Sequence, residues 1–217
     1  MKKLLLGIAA VCLAGFTFAQ DAPLWMRHSV ISPDGTTIAF TYKGDIYTVP
    51  VAGGRAMQIT TNPAYDTAPV WSPDSKRIAF ASDRMGSLDV YIVAKDGGEP
   101  RRLTTHSGSE TPLAFTDAGH VLFSAGIMPS AEAVVFPSNG QFNQVYRVSV
   151  EGGRPTMISS MPMECISINK EGAMLYQDKK GYEDYWRKHH VSPIARDIWM
   201  YTPGKEPQYR QLTTFGG

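Results

Sequence analysis

The sequence has few cysteines, no excess of charge of one sign and no long hydrophobic run after its first twenty residues. Only two of its 217 residues are cysteine, which excludes a disulfide scaffold and requires a buried core instead. The 21 basic and 20 acidic side chains give a formal net charge of +1, so a nucleic acid or an anionic membrane surface is not an expected partner. With 43% hydrophobic residues, the composition is that of a globular chain.

Motifs of several enzyme classes are also missing. No Gly-x-Ser-x-Gly elbow occurs, so no α/β-hydrolase domain is expected in these residues. The glycine pairs fall at predicted hairpin ends, which is not the place of a phosphate-binding loop. The spacing of the five histidines relative to the serines gives no support for a Ser-His-Asp triad. We therefore predict no catalytic residues, no cofactor and no metal in this chain.

Residues 1–19 have the pattern of a secretory signal peptide. Lys2 and Lys3 precede an apolar run over 4–18, and cleavage after Ala19 would leave an exported chain, periplasmic or extracellular. A retained membrane anchor is the alternative, but the run is shorter than the roughly 20 residues that span a bilayer. Cys12 would leave with the signal, so we expect Cys165 to remain without an internal disulfide partner.

Three landmarks recur in one order, four times, along the rest of the chain. The first is a turn, Ser-Pro-Asp in its strongest copies, followed by an apolar run, at 31–40, 71–80, 115–123 and 168–176. The second has the form Asp-Ile-Tyr, at 45–47, 89–91, 144–146 and 197–199. The third has the form Gln-Leu-Thr-Thr, at 58–61, 102–105, 157–160 and 211–214. Such self-similarity indicates a repeat architecture.

Each repeat is predicted to contain four short strands joined by hairpin turns. Proline, aspartate and glycine are suited to the first turn, and Gly-Gly pairs mark the third hairpin. Four antiparallel strands in about 40 to 50 residues are typical of a β-propeller blade, whereas stacked β-solenoid coils have shorter repeats. We predict an all-β propeller region over 23–217, with four-stranded blades at approximately 23–61, 62–105, 106–160 and 161–214.

The repeat pattern resembles that of TolB-like proteins and tricorn-type serine peptidases. The opening at 23–35 and the segment Tyr-Glu-Asp-Tyr-Trp-Arg-Lys-His-His at 182–190 are similar to exported tricorn-like peptidases of the C-terminal-processing clan. The resemblance covers 23–214. It implies a propeller region that precedes a second propeller, a PDZ domain and a core with a serine nucleophile, none of which is present in these residues. It also implies unfolded peptide substrates and a homo-oligomer at full length.

Four repeats predict an incomplete propeller. An open arc of blades leaves a sheet face uncovered at each end. The first repeat supplies all four of its own strands, so no strand is left to be exchanged with the last repeat. We expect the chain to be the N-terminal piece of a longer protein; a true four-bladed ring and arcs that associate are the alternatives.

The loops between the second and third strands differ most among the repeats. They are short at 41–44 and 81–88 but hold twenty residues at 124–143 and twenty at 177–196. Insertions on one face of a repeat array often form its binding surface. Candidate peptide or partner contacts are the aromatic and basic side chains of the fourth insert: Tyr182, Tyr185, Trp186, Arg187, Lys188, His189 and His190. In the alternative, the two long inserts pack on each other and cover one end of the propeller.

Two metal-binding hypotheses are less favoured. The turn aspartates could bind Ca²⁺, but their repeat position fits a turn-forming role better. The side chains of His189 and His190 diverge because the two residues are adjacent, and no third ligand is evident.

The resemblance implies a non-catalytic segment that gates or guides peptides toward a catalytic domain downstream in an exported serine peptidase. A stand-alone TolB-like module that docks another cell-envelope protein is the alternative. A third hypothesis, a propeller that caps an α/β-hydrolase domain, requires a Gly-x-Ser-x-Gly elbow further along the chain.

Overall fold

The computed structural model describes residues 25–126, 143–178 and 196–214. The predicted signal peptide and the candidate contact residues at 182–190 lie outside these ranges. The described residues form sixteen β-strands and no helix, so they include no helix that could cross a membrane. The all-β prediction is confirmed.

The strands form four sheets, each built from four strands that are consecutive in the chain. Blade 1 contains β1 (Arg27–Ile31), β2 (Thr37–Tyr42), β3 (Asp45–Pro50) and β4 (Met57–Gln58). Blade 2 contains β5 (Asp66–Trp71), β6 (Arg77–Ser82), β7 (Asp89–Ala94) and β8 (Arg101–Arg102). Blade 3 contains β9 (Glu110–Asp117), β10 (His120–Ala125), β11 (Gln144–Ser149) and β12 (Thr156–Ser159). Blade 4 contains β13 (Met163–Ile168), β14 (Met174–Asp178), β15 (Ile198–Thr202) and β16 (Gln208–Gln211).

The blades follow one another as in a propeller. Neighbouring strands within each sheet are antiparallel. The first strand of each later blade contacts the blade before it: β5 contacts blade 1, β9 contacts blade 2 and β13 contacts β9. Among the described strands, those of blade 4 have no extensive contact with those of blade 1, so the four blades form an open, incomplete propeller.

The Ser-Pro-Asp turns are held by their own side chains. Asp34 Oδ1 accepts hydrogen bonds from the Ser32 hydroxyl (2.6 Å) and from the Thr36 amide (3.0 Å). These bonds, that of Ser32 first, lower the pKa of Asp34 to about 2. Asp74 accepts the same bond from Ser72, at 2.6 Å. The aspartates therefore act as turn formers, as their repeat position predicts.

The second and third landmarks are bonded to each other across the outer part of the blade. The Asp45 carboxylate accepts bonds from Gln58 Nε2 (2.9 Å) and from the Thr60 hydroxyl (3.2 Å). The Ile46 amide in turn donates to the Thr60 hydroxyl, at 3.0 Å. Blade 4 repeats these three bonds with Asp197, Ile198, Gln211 and Thr213. This pairing explains why Asp-Ile-Tyr and Gln-Leu-Thr recur together in the sequence.

Three hydrophobic clusters fill the interfaces between successive blades. Ile46 and Ile59 of blade 1 pack with Trp71 and Phe80 of blade 2. The interface of blades 2 and 3 contains Val90, Leu103, Phe115, Val121 and Phe123. The interface of blades 3 and 4 contains Leu122, Val145, Met163, Met174 and Tyr176. Burial of each large side chain contributes roughly 1.5–3 kcal/mol, so the stability of each blade depends on its neighbours.

The side of a blade that packs on the following blade, here called the forward face, is uncovered in blade 4. In blade 2 the forward-face residues Val90 and Leu103 are 0% and 3% exposed. At the same repeat positions of blade 4, Ile198 and Leu212 are 47% and 43% exposed, and Leu175 beside them is 43% exposed. No described residue covers this apolar face.

Candidate functional site

A groove lies among the first strands of the blades, and all four blades contribute to it. Its volume is about 790 Å³. Each blade lines it with its first strand, through apolar side chains that include Val30, Ile31, Val70, Leu113, Phe115 and Ile168. The Ser-Pro-Asp turns of blades 1 and 2 border one end of the groove through Pro33 and Pro73.

A β-bulge bends the first strand of three blades beside this groove. The bulged residues are His28, Ala68 and Cys165, which have φ values of 49°, 51° and 52° and occupy the same repeat position. Bulges increase strand twist and redirect side chains. In blade 3 this position is Pro112, whose ring excludes a positive φ; the register of β9 also shifts there, between Pro112 and Ala114, but no residue of that shift has a positive φ.

Polar contacts lie at the other end of the first strands. His28 Nδ1 and the Thr67 hydroxyl are 3.1 Å apart and connect blades 1 and 2. In blade 4 the Arg196 guanidinium donates to the Glu164 carboxylate. These contacts lie outside the groove, whose own polar lining residues include Thr116, Asp117, Asn169 and Lys170 near the turns.

A fully paired carboxylate lies at the junction of blades 1 and 2. Asp66, which is 0% exposed, accepts two bonds from Arg84 Nη2, at 2.9 and 3.1 Å. The Arg84 guanidinium also lies over the rings of Phe80 and Tyr91, 4.6 Å from the centroid of the second. The ion pair with Arg84 and the stacking of its guanidinium on the two rings therefore offset the free-energy cost of burying the Asp66 carboxylate.

The equivalent junction of blades 2 and 3 lacks this compensation. Glu110 occupies the repeat position of Asp66 and is 0% exposed, yet neither of its carboxylate oxygens has a hydrogen-bond partner. Arg102 Nη2 lies 2.8 Å from the buried Asp89 instead. Burial, and then the nearby Asp89 charge, raise the pKa of Glu110 to about 7, against the opposing effects of the Thr104 hydroxyl and Arg102.

The groups needed for nucleophilic or metal chemistry do not come together in the described ranges. No serine hydroxyl there lies within hydrogen-bond distance of a histidine ring. His120 Nδ1 lies 3.0 Å from Asp117, and His106 Nδ1 accepts the Gly108 amide. No set of three His, Cys, Asp or Glu side chains among these residues could hold a metal ion. The Cys165 thiol is exposed and unpaired.

The sequence-based candidates and the groove are different parts of the chain. Tyr182, Tyr185, Trp186, Arg187, Lys188, His189 and His190 lie outside the described residues, so their role as contacts stays a prediction. Sequence analysis did not identify the groove residues. The repeat pattern places the groove residues in or next to the first strand of each repeat, directly before and within the Ser-Pro-Asp landmark, but it does not indicate that the four first strands line one groove.

Comparisons with known proteins place these features in a family. Residues 23–217 match the model of the tricorn protease N-terminal beta propeller domain. A tricorn protease homolog of Streptomyces coelicolor is 25% identical over 180 residues, which are 82% of this chain and 16% of the relative. This chain therefore corresponds to a small part of that relative's length.

Solved structures share the fold at low sequence identity. A putative TolB from Agrobacterium tumefaciens is 16% identical with a TM-score of 0.67, over 89% of this chain and 64% of that protein. The tricorn protease is 13% identical with a TM-score of 0.60, over 86% of this chain and 22% of that protein. With the family-model match over residues 23–217, the chain belongs to the tricorn protease N-terminal beta propeller domain family.

Proposed function

We propose that this chain is the non-catalytic N-terminal propeller segment of an exported serine peptidase, in which the central groove guides unfolded peptides toward a catalytic domain. The observation that carries the proposal is the groove of about 790 Å³ to which all four first strands contribute apolar side chains. An unfolded peptide exposes its apolar side chains, and such a groove can cover them without any catalytic group of its own.

The uncovered forward face of blade 4 supports a place within a longer protein. Leu175, Ile198 and Leu212 occupy positions that are buried in blade 2, and their burial would contribute roughly 1.5–3 kcal/mol each. A further blade of the same repeat presents the surface that fits this face. The match to 16% of the Streptomyces relative agrees with this proposal. Self-association of the full-length enzyme belongs to the same proposal.

Export is supported by the signal pattern at 1–19, which would direct the protein to the periplasm or outside the cell. The predicted contacts at 182–190 would add to the guiding surface, because their insert joins the second and third strands of blade 4.

The groove can be tested by narrowing it in the full-length protein. Ser167 is an exposed groove residue of β13, and Ser167→Trp would place an indole in the groove. Gln208→Trp on the exposed strand β16 adds the same side chain outside the groove and serves as the matched control. We expect S167W to slow hydrolysis of an unfolded polypeptide and to leave hydrolysis of a short fluorogenic peptide unchanged. Equal rates for S167W and Q208W on the unfolded polypeptide would contradict the guiding role.

A stand-alone TolB-like interaction propeller is the second candidate, favoured by the coverage of 64% of the Agrobacterium structure. Such a module needs no peptidase domain. In that case the purified full-length protein would not hydrolyse unfolded polypeptides, and S167W would weaken capture of an envelope protein instead.

A further inference from the structure

Aromatic and basic side chains lie together at the end of blade 1 that is remote from its Ser-Pro-Asp turn. Arg27 begins β1 and Trp25 lies just before it, whereas Tyr42 ends β2 and Lys43 follows it. We call these four residues and Tyr65, which precedes β5, the rim patch. Trp25 is 74% exposed and Tyr65 42%, and the side chains of Arg27 and Lys43 are also exposed.

The strand register and turn contacts make the rim patch continuous. Arg27 lies opposite Thr41 in the β1–β2 pairing, so the two pairs of aromatic and basic residues are neighbours. The Tyr65 ring lies beside Gly44, the residue after Lys43, where a Cβ added to the glycine would be 3.7 Å from it. The Tyr65 amide donates to Asp83 Oδ1 at 2.7 Å, which fixes this segment against blade 2.

Both cations of the rim patch are held on aromatic rings and lack an acidic partner. The Arg27 guanidinium is 5.3 Å from the Trp25 ring, and the Lys43 ammonium is 5.3 Å from the Tyr42 ring. Among the described residues no carboxylate lies within 4 Å of either cation. Arg84, Arg101, Arg102 and Arg196, in contrast, each have a carboxylate partner. The rim patch therefore presents two ordered, uncompensated positive charges beside large apolar surfaces.

We propose that the rim patch binds extended peptide segments in which acidic side chains alternate with aromatic or large apolar ones. The carboxylates would pair with Arg27 and Lys43, and the apolar side chains would lie on Trp25 and Tyr65. Aromatic and arginine side chains are the groups most enriched in binding hot spots. Strand β1 leads from the patch to Val30 and Ile31 in the groove, so a bound segment would be aligned with the groove entrance.

This inference rests on the proposed peptide-guiding function, and direct binding tests it separately from turnover. The probes are a short labelled peptide in which Glu and Phe alternate and a matched peptide with Lys in place of Glu, measured by fluorescence anisotropy with the full-length protein. Arg27→Gln with Lys43→Asn removes the charges, and asparagine suits the left-handed φ of 51° at Lys43. Arg55→Ala with Lys205→Ala removes two exposed cations elsewhere and is the control.

We expect the acidic peptide to bind more tightly than the basic one, and R27Q/K43N to weaken it by about tenfold while the control does not. Arg27→Glu with Lys43→Asp should reverse the preference and favour the Lys peptide. Equal affinity for the two peptides, or the same loss in the control variant, would overturn the rim-patch proposal. If S167W still slows turnover in that case, the groove proposal stands; if it does not, both proposals fail.

Discussion

Replacement of the buried Glu110 by glutamine should change how the stability of the junction between blades 2 and 3 depends on pH. The carboxyl group is 0% exposed and has no hydrogen-bond partner, while Asp66 at the equivalent junction is paired with Arg84. Burial of ionised Glu110 is therefore offset only in part, by the Thr104 hydroxyl and Arg102. A glutamine of similar shape keeps the packing and removes the charge.

The magnitude follows from the pKa of Glu110, which rises from 4.5 to about 7 on folding. Each unit corresponds to about 1.4 kcal/mol, so the ionised side chain reduces the free energy of unfolding by about 3 kcal/mol. Because the folded-state pKa is raised, the neutral side chain is fully tolerated below pH 4.5, and stability is lost as the pH rises through about 7. We expect E110Q to exceed the wild type by less than about 1 kcal/mol near pH 5 and by up to about 3 kcal/mol near pH 8.

Hydrogen exchange of peptides from β7 and β9 can measure the local stability of the junction between blades 2 and 3 in the full-length protein. Comparison of E110Q with the wild type at each pH cancels the intrinsic pH dependence of exchange. Asp66→Asn is the control, and it should increase exchange at both pH values because it leaves the half-buried Arg84 guanidinium without its carboxylate partner. A constant difference between E110Q and the wild type from pH 5 to about pH 8 would refute the reasoning.

Substitutions at three further positions test individual contacts through the thermal unfolding midpoint. Tyr176→Phe removes a buried hydroxyl without a hydrogen-bond partner and should be neutral or stabilising by about 1 kcal/mol; clear destabilisation would reveal a missed partner. Ser75→Ala should cost about 1 kcal/mol because the Asp34 amide loses its acceptor, whereas Ser75→Gly should cost less because it relieves the φ of 57°; equal effects would contradict this account. Trp71→Phe should destabilise by about 1 kcal/mol, since the indole no longer donates to the Val30 carbonyl; an unchanged midpoint would contradict this expectation.

The fold was predictable because the repeat landmarks describe contacts that are local within a blade. Asp45 and Thr60 are bonded in the folded chain, and their spacing recurs in the sequence. The Ser32 hydroxyl bonds to the Asp34 carboxylate within the turn, and the one bond from blade 2, to the Asp34 amide, is additional to this local pattern. Both patterns therefore recur in the repeats whose sequences are most alike. The all-β propeller prediction is confirmed.

The groove and the junctions could not be predicted, because they depend on how neighbouring blades pack. Glu110 and Asp66 share a repeat position, but only the packed structure reveals that Arg84 reaches Asp66 while no described residue bonds to Glu110. Sequence analysis instead emphasised the aromatic and basic segment at 182–190, which lies outside the described residues. The apolar groove residues are common strand formers, so their composition gave no functional signal.

The proposal that this propeller belongs to a longer exported peptidase is tested most directly by the coding sequence that follows the codon for Gly217. The account predicts further Asp-Ile-Tyr and Gln-Leu-Thr repeats, the first of which would cover Leu175, Ile198 and Leu212, and then a serine peptidase core. A stop codon directly after Gly217 would contradict it.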